Sequence, residues 1–469
     1  MIKKTKIIST IGPSSNHPHI ISRMIKKGMN VARLNMAHLN KEDDLKSIIN
    51  IIREESLKLN KYTGILMDIS GPKIRTDLSS LKENEINIVK GHIYTLGFSK
   101  MNDIPITMDI NFKSNSNPVN SFVKIDDGKI NLKIISISNN IVKIKATSSC
   151  LIRPNKGVNF PGVELKIPSL TKKDAKDIKL GIKYKVDWFA LSFVRSPKDI
   201  DDFNEINKGK SKIPIIAKIE KPEAIDNLEK IIDKFDGVLI ARGDLGVELP
   251  IYKLPILQKN IISKCKELNK PVIVATQILE SMISNPLPTR AEVNDVANSV
   301  YENVDAVMLS GETAVGDFPV ETVKMMNDII LNVENENLRY EKIEYKYKQD
   351  SKYAIGKAVN TVSNNLKVDA IVVMTESGST AKIVSFFRPK ISIYALSPHL
   401  SVCNRLSLLW GVTPIQSQEY LSTDEMLINA EQILLDNNFI RSGQTFVMTA
   451  GVPVGISGST NMFRIQKVE

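Results

Sequence analysis

Cysteine is scarce in this chain. Three residues, Cys150, Cys265 and Cys403, are scattered over 469 positions. Odd in number and far apart, they indicate neither a disulfide framework nor a cysteine-based metal site, and a reducing cytoplasm is the expected location. Long apolar runs are missing too. No stretch approaches the ~18 consecutive apolar residues of a membrane-spanning helix. The opening MIKKTKIISTIGP has a basic head, but its apolar run is too short for a signal peptide and already holds a first strand. A soluble protein without a membrane partner is expected. Low-complexity tracts are absent, and so is any concentration of one charge sign. The net charge of +11 invites a nucleic-acid reading. Yet the lysines are dispersed rather than gathered on one face with aromatics. The chain is rich in Lys, Ile and Asn, as an AT-biased genome would make it, so no nucleic-acid partner is expected.

What is present is a repeat. Strand-like runs ending in polar or Gly residues begin near Lys6, Asn30, Thr63, Val186, Ile213, Asp236, Pro271 and Val304. Successive starts lie 23 to 35 residues apart, except for one step of 123 after the third run. An ordinary βαβ crossover takes ~30 residues, so that step hides an insertion of about 90. Without residues 71–162, the chain up to Tyr345 has 253 residues, close to the roughly 250 of a (β/α)8 TIM barrel. The inserted stretch alternates apolar and polar residues and carries turn signals at Asp127-Gly128 and Asn139-Asn140, the pattern of a small all-β domain. Leaving the barrel after strand 3, it would sit over the rim as a lid. A charged, Tyr-rich linker follows the barrel, and then strands DAIVVMT, ISIYALS, VTPIQS and QTFVMTA alternate with helical patterns. The expected architecture is a catalytic barrel over 1–70 and 163–345, an inserted β-barrel lid over 71–162 and a C-terminal α/β domain of regulatory type over 346–469.

The most informative stretch is IPIIAKIEKPEAIDNLEKIIDKFDGVLIARGDLGVE, residues 213–248. It is a βαβ unit with Lys218 and Glu220 at the end of one strand and Arg242, Gly243 and Asp244 at the end of the next. Ligands and catalysts gather at the carboxyl ends of parallel strands, so Lys218, Glu220 and Asp244 should face one cleft. A cation beside two carboxylates suggests metal-assisted chemistry on an anion; structural salt bridges at a barrel rim are the competing reading for either strand end alone.

Along its whole length the chain resembles the pyruvate kinases. The resemblance rests on TIGPSS at 10–15, NVARLNMAH at 30–38, GPKIR at 71–75, NKGVNFPG at 155–162, SFVRS at 192–196, AKIE at 217–220 and ARGDLGVE at 241–248. It continues with ATQILESMISNPLPTRAEVNDVAN at 275–298 and MLSGETAVGDFP at 308–319. It implies a Mg2+-dependent phosphoryl transfer from phosphoenolpyruvate to ADP, giving pyruvate and ATP in glycolysis. Lys218 is then the catalytic lysine, Glu220 and Asp244 are hard oxygen ligands for Mg2+, and Arg33 binds phosphate. Gly243 and Asp244 offer backbone N–H groups to the substrate carboxylate. Thr276 binds that carboxylate and helps a water protonate the enolate carbon. Asn35, His38, Arg75 and Lys156 match nucleotide-side positions; His38 also reads as a satisfied turn residue. The family is usually a homotetramer, and Arg290 and Asp295 are candidates for a subunit contact. Thr289 with Glu292 spells a helix capping box.

Departures from the family pattern cluster at one place. Where potassium-dependent members have a Ser, a Thr, a Lys and a Glu, this chain has Ala37, Ile69, Ser70 and Lys73. Asn35 and Asp68 remain from the monovalent-cation pocket, with Lys73 as an internal cation, and K+ is expected to be dispensable. In the last domain TESGST places Thr375, Ser377, Ser379 and Thr380 at a strand-to-helix turn, near the Gly-rich 451–461. Two readings stand there, a site for a phosphorylated allosteric effector and a set of turn and cap residues without a ligand. Two alternatives to a kinase also stand. A Mg2+-dependent lyase or carboxylase on the same acids would turn over without ADP, and a nucleic-acid-binding protein with a dead barrel would show steep salt-dependent RNA retention.

Overall fold

Eight strands of buried residues are continuous in apolar character, and such strands are stable only where both faces are covered. In the computed structural model, which describes residues 2–469 except 80–84, 113–117, 139, 210, 337–349 and 454–459, they are Lys6–Thr10, Val31–Asn35, Gly64–Ile69, Trp188–Leu191, Ile215–Ile219, Gly237–Ala241, Val272–Ala275 and Ala306–Leu309. They pair in parallel and in sequence order, the first closing on the eighth. Inside the barrel Ile8, Val31, Leu66, Trp188, Ile216, Leu239, Ile273 and Met308 form one core. A larger core lies between the strands and the surrounding helices.

Between the third and fourth barrel strands the chain forms a mostly antiparallel six-stranded sheet over its own core, with a two-stranded ribbon beside it. The turn at Asp126, Asp127 and Gly128 takes three successive positive φ values. Asn140 is also left-handed, while its neighbour Asn139 lies outside the described residues. This unit leans on the helix that follows the sixth barrel strand. Lys124 Nζ donates to Val247 O at 2.7 Å, and Asn159 Nδ2 to Glu248 Oε1 at 2.7 Å. The all-β insertion therefore rests on the barrel at the carboxyl end of its sixth strand.

The C-terminal sheet has five strands in the order Val412–Gln416, Ile393–Ser397, Ala370–Met374, Thr445–Gly451 and Thr460–Lys467. The first four are parallel, and the last, an antiparallel edge, was not expected from the sequence. This domain closes the other mouth of the barrel. Its Leu408 joins the barrel's inner core, and Trp188 Nε1 donates to Arg405 O at 3.1 Å. Gly64 opens the third barrel strand because nothing larger fits: a Cβ there would lie 2.8 Å from Asn404 O and from Ser407 Oγ. The Tyr-rich linker falls largely on residues 337–349, outside the described residues, as does the centre of the Gly-rich loop at 454–459. No described helix is long and apolar enough to cross a membrane.

Candidate active site

The parallel register fixes which side chains reach the rim. Thr10, Arg33, Asp68, Lys218 and Glu220 stand at or just beyond the carboxyl ends of the first, second, third and fifth strands. Lys218 Nζ is 3.2 Å from Asp68 Oδ1 and 3.0 Å from Glu220 Oε1, and donates to Ser192 Oγ at 2.8 Å. Burial alone would lower its pKa, but the carboxylates of Asp68 and Glu220 outweigh it and hold the ammonium above its ordinary value. Lys218 is therefore a permanent cation.

Asp68 links this lysine to Arg33, whose Nε donates to Asp68 Oδ2 at 2.8 Å and whose Nη1 donates to Thr10 Oγ1 at 2.9 Å. Burial would raise the Asp68 pKa, yet Lys218 and Arg33 keep it below the usual range. Glu220 behaves oppositely: burial pushes its pKa up, the neighbouring Asp244 charge adds to that, and Lys218 opposes. Its Oε2 accepts the Phe193 N–H at 2.8 Å, while the buried Oε1 faces only the Lys218 ammonium, at 3.0 Å. Phe193 holds that geometry from a left-handed backbone, φ 56°. A buried carboxylate whose Oε1 meets a single ammonium, with the Asp244 charge close enough to raise its pKa, fits a hard divalent cation. Among the described residues no group of three or more Asp, Glu, His or Cys side chains is arranged to hold a metal ion. Two carboxylates suit Mg2+, which keeps several waters and substrate oxygens.

Thr276 and Gly243 meet across the seventh and sixth strands. Gly243 N–H donates to Thr276 Oγ1 at 2.7 Å, and that hydroxyl donates to Ala275 O at 2.6 Å. The Gly243 N–H expected to meet a carboxylate is thus already held by Thr276, and an incoming carboxylate would take its place. Thr276 has φ 67°, a strained setting for a β-branched residue that aims its hydroxyl at the rim.

The residues expected on the nucleotide side are arranged differently from one another. Arg75 and Gly157 form a bridge where the chain enters and leaves the inserted β unit, so Arg75 and Lys156 sit close together in space. Lys156 Nζ pairs with Asp126 Oδ1 at 2.8 Å, and Arg75 Nη1 donates to Asn155 O. His38 has its pKa lowered by burial and by Arg75 and Arg33, so a neutral ring is favoured.

The expected partnership of Lys73 with Asn35 and Asp68 is not what the structure places there. Asp68 is spent on Arg33, Lys218 and Ser192, and Asn35 Oδ1 accepts the Ala37 N–H at 3.2 Å. Lys73 instead reaches Asp244 Oδ1 at 3.2 Å and lies 6.0 Å from the Phe193 ring centroid. Asp295, considered for a subunit contact, pairs within the chain with Arg242 at 2.7 Å. The Thr289–Glu292 capping box is present in both directions. At TESGST, Thr375 Oγ1 accepts the Gly378 N–H, Thr380 Oγ1 hydrogen-bonds Thr460 Oγ1, and Ser377 donates to Ser379. These are the bonds of a strand-to-helix turn. Sequence reasoning gave no role to Ser192, Phe193 or Thr10. SFVRS and TIGPSS did flag their positions, at the ends of the fourth and first strands.

Two family models cover nearly all of the chain: "Pyruvate kinase, barrel domain" matches residues 2–323 and "Pyruvate kinase, alpha/beta domain" residues 353–466. The pyruvate kinases of Staphylococcus epidermidis and Staphylococcus aureus are each 41% identical over 476 aligned positions, covering 100% of this chain and 81% of theirs. A crystal structure of a pyruvate kinase from Cryptosporidium parvum superposes with a TM-score of 0.92 at 32% identity, covering 100% of this chain and 96% of that one. With a closed barrel, an inserted β unit, a C-terminal α/β sheet and these matches, the chain belongs to the pyruvate kinase family.

Proposed function

We propose that the rim transfers the phosphoryl group of phosphoenolpyruvate to ADP, with Lys218, Arg33 and Thr276 as the groups that touch the reacting substrate. The single observation that carries this reading is the buried lysine held between Asp68 and Glu220. Phosphoryl transfer needs in-line positioning and positive charge around the equatorial oxygens more than covalent chemistry. Lys218 brings a cation that needs no reorganisation, because Ser192, Asp68 and Glu220 fix its Nζ. Arg33, oriented by Asp68 and Thr10, presents its remaining N–H donors to the phosphate. Thr276 and the Gly243 N–H receive the carboxylate, and the Thr276 hydroxyl passes a proton by way of water to the enolate carbon. Glu220 and Asp244 would hold Mg2+, which when bound would supply further positive charge to the phosphoryl oxygens. Arg75 and Lys156, carried on the lid, approach the ADP phosphates together with Asn35 and His38.

The same reading includes a cytoplasmic homotetramer. Its support is exposed apolar surface in two places: Ile251, Tyr252 and Ile256 after the sixth barrel strand, and Leu421 and Ile428 on the C-terminal domain. A phosphorylated effector at the Thr375–Thr380 turn belongs to it as well, and there the support is the family pattern alone. A coupled assay with phosphoenolpyruvate tests the reaction class. Pyruvate should form only when ADP is added; turnover without ADP would identify a lyase.

K+ independence is part of the proposal. Ala37 and Ile69 bring no side-chain oxygen, and both remaining ligands already hold donors of the protein itself. A K+ ion at Asp68 would face Lys218 and Arg33. Two unit charges 4 Å apart cost about 4 kcal/mol at an effective dielectric near 20. Rates in tetramethylammonium buffer should match those with KCl at equal ionic strength, and many-fold activation by K+ would refute the assignment.

A further inference from the structure

Among the described residues the inserted β unit and the barrel share no apolar core. The buried residues of the unit, Ile74 to Val163, cluster with one another, and those of the barrel cluster with its own helices. Units joined without a common core move relative to each other unless polar contacts seat them. Here those contacts converge on helix Arg242–Glu248, whose first turn carries Gly243 and Asp244. Lys124 and Asn159 face each other on paired strands of the inserted unit. Lys124 Nζ donates to Val247 O, and Asn159 Nδ2 donates to Oε1 of the next residue, Glu248. The turn at Gly128 lies against Val247, whose side chain would be 3.8 Å from a Cβ added there.

Glu248 is 5% exposed, and the oxygen that Asn159 reaches also accepts from Lys221 Nζ, in the loop directly after Glu220. A carboxylate at that depth costs stability unless a cation and hydrogen bonds replace its water. The cation comes from the barrel and the hydrogen bond from the inserted unit, so the carboxylate is fully paired only when the two are seated together. A cavity of about 30 Å3 remains in the seam, lined in part by Lys73, Val158, Asn159, Phe193 and Lys221; it has room for one or two waters. With so little packing, each directed bond across the seam counts. The geometry points to Glu248 as a positioning residue for the nucleotide. By holding Asn159 it seats the inserted unit on the barrel and so sets where Arg75 and Lys156 stand relative to the rim. Asn159 lies three residues beyond Lys156, in the strand that follows Gly157, and Gly157 is bridged to Arg75. The inference rests on the proposed role of those two cations at the ADP phosphates.

Exchanging the two side chains in the full chain tests this. Asn159→Asp keeps the shape of the side chain but sets a carboxylate against Glu248. The KM for ADP should rise about tenfold or more, the scale of a lost hydrogen bond to a charged group. The KM for phosphoenolpyruvate, whose proposed contacts all lie on the barrel, should stay within about twofold of the parent's. With no substrate present, proteolytic cleavage between Lys73 and Lys156 should be faster. Adding Glu248→Gln to Asn159→Asp reverses donor and acceptor and keeps one carboxylate beside Lys221, so it should bring the ADP KM and the cleavage rate back towards the parent's. If Asn159→Asp does not fold, Asn159→Ala, which deletes the donor without adding a charge, should still raise the KM for ADP and not that for phosphoenolpyruvate. An unchanged ADP KM in a folded single variant would overturn the inference. So would an equal rise for both substrates, or a double variant no better than Asn159→Asp. Pyruvate formed by the parent without ADP would overturn the proposed reaction instead, and the cleavage rates, read without substrate, would still decide whether Glu248 seats the inserted unit.

Discussion

Lys218→Met should lower kcat by at least ~10²-fold, the cost of one lost preorganised transition-state donor. The structure adds a consequence for stability. Lys218 compensates two buried carboxylates at once, and only Asp68 keeps another cation, Arg33. Breaking a buried pair from one side costs about 3–5 kcal/mol, so the metal-free variant should melt earlier than the parent and recover in part when Mg2+ is added. The loss should depend on pH. Glu220 already has its folded-state pKa raised, chiefly by burial and against the pull of Lys218; removing Lys218 raises it further. A carboxyl with a raised folded pKa favours folding in its protonated form. Its stabilisation is complete below the unfolded value, ~4.3, and is lost as pH rises through the folded one. The deficit of Lys218→Met against the parent should therefore be larger at pH 7 than at pH 5 in chemical-denaturation curves. A folded variant with near-normal kcat would remove Lys218 from the reaction, and a deficit independent of pH would remove Glu220 from its environment.

Much of this site was legible because barrel strands end in their functional groups. Lys218, Glu220 and Asp244 lie on two consecutive strands, so sequence spacing alone brings them to one rim. What the sequence concealed was contact between distant segments. Lys73 and Asp244 are 171 positions apart, and nothing local tells a lysine which carboxylate it will meet. Asp68 was read as a remnant of a cation pocket; the structure shows it as the hinge between Arg33 and Lys218. That role depends on the closeness of the second, third and fifth strand ends across a closed barrel. In the fold, the eight barrel strands announced themselves by continuous apolar character. Strand Thr460–Lys467 did not. It is an antiparallel edge whose Arg464, Gln466 and Lys467 interrupt the apolar residues, and the Gly-rich segment before it draws attention to a loop.

Glu220→Gln and Asp244→Asn should each raise the Mg2+ concentration for half-maximal activity by at least about tenfold, because each removes a charged hard ligand from a site with few. The two variants should differ in what else they disturb. Gln at 220 can still accept the Phe193 N–H, so the left-handed turn at Phe193 survives, and the loss is one of charge beside Lys218. Asn at 244 weakens the contact with Lys73, so the lid's entry segment should also lose its hold on the barrel. Isothermal binding of Mn2+ without substrates, read beside the Mg2+ dependence of rate, separates these effects. Both variants should bind the ion more weakly. Only Asp244→Asn should also show faster proteolytic cleavage between Lys73 and Lys156, because a released lid exposes its connections. Changes elsewhere on the rim, such as Asn35→Ala, should leave the Mn2+ isotherm in place. If the isotherms of Glu220→Gln and Asp244→Asn overlay the parent's, the Glu220 carboxylate is not a metal ligand, and the divalent ion of this reaction is held elsewhere on the rim.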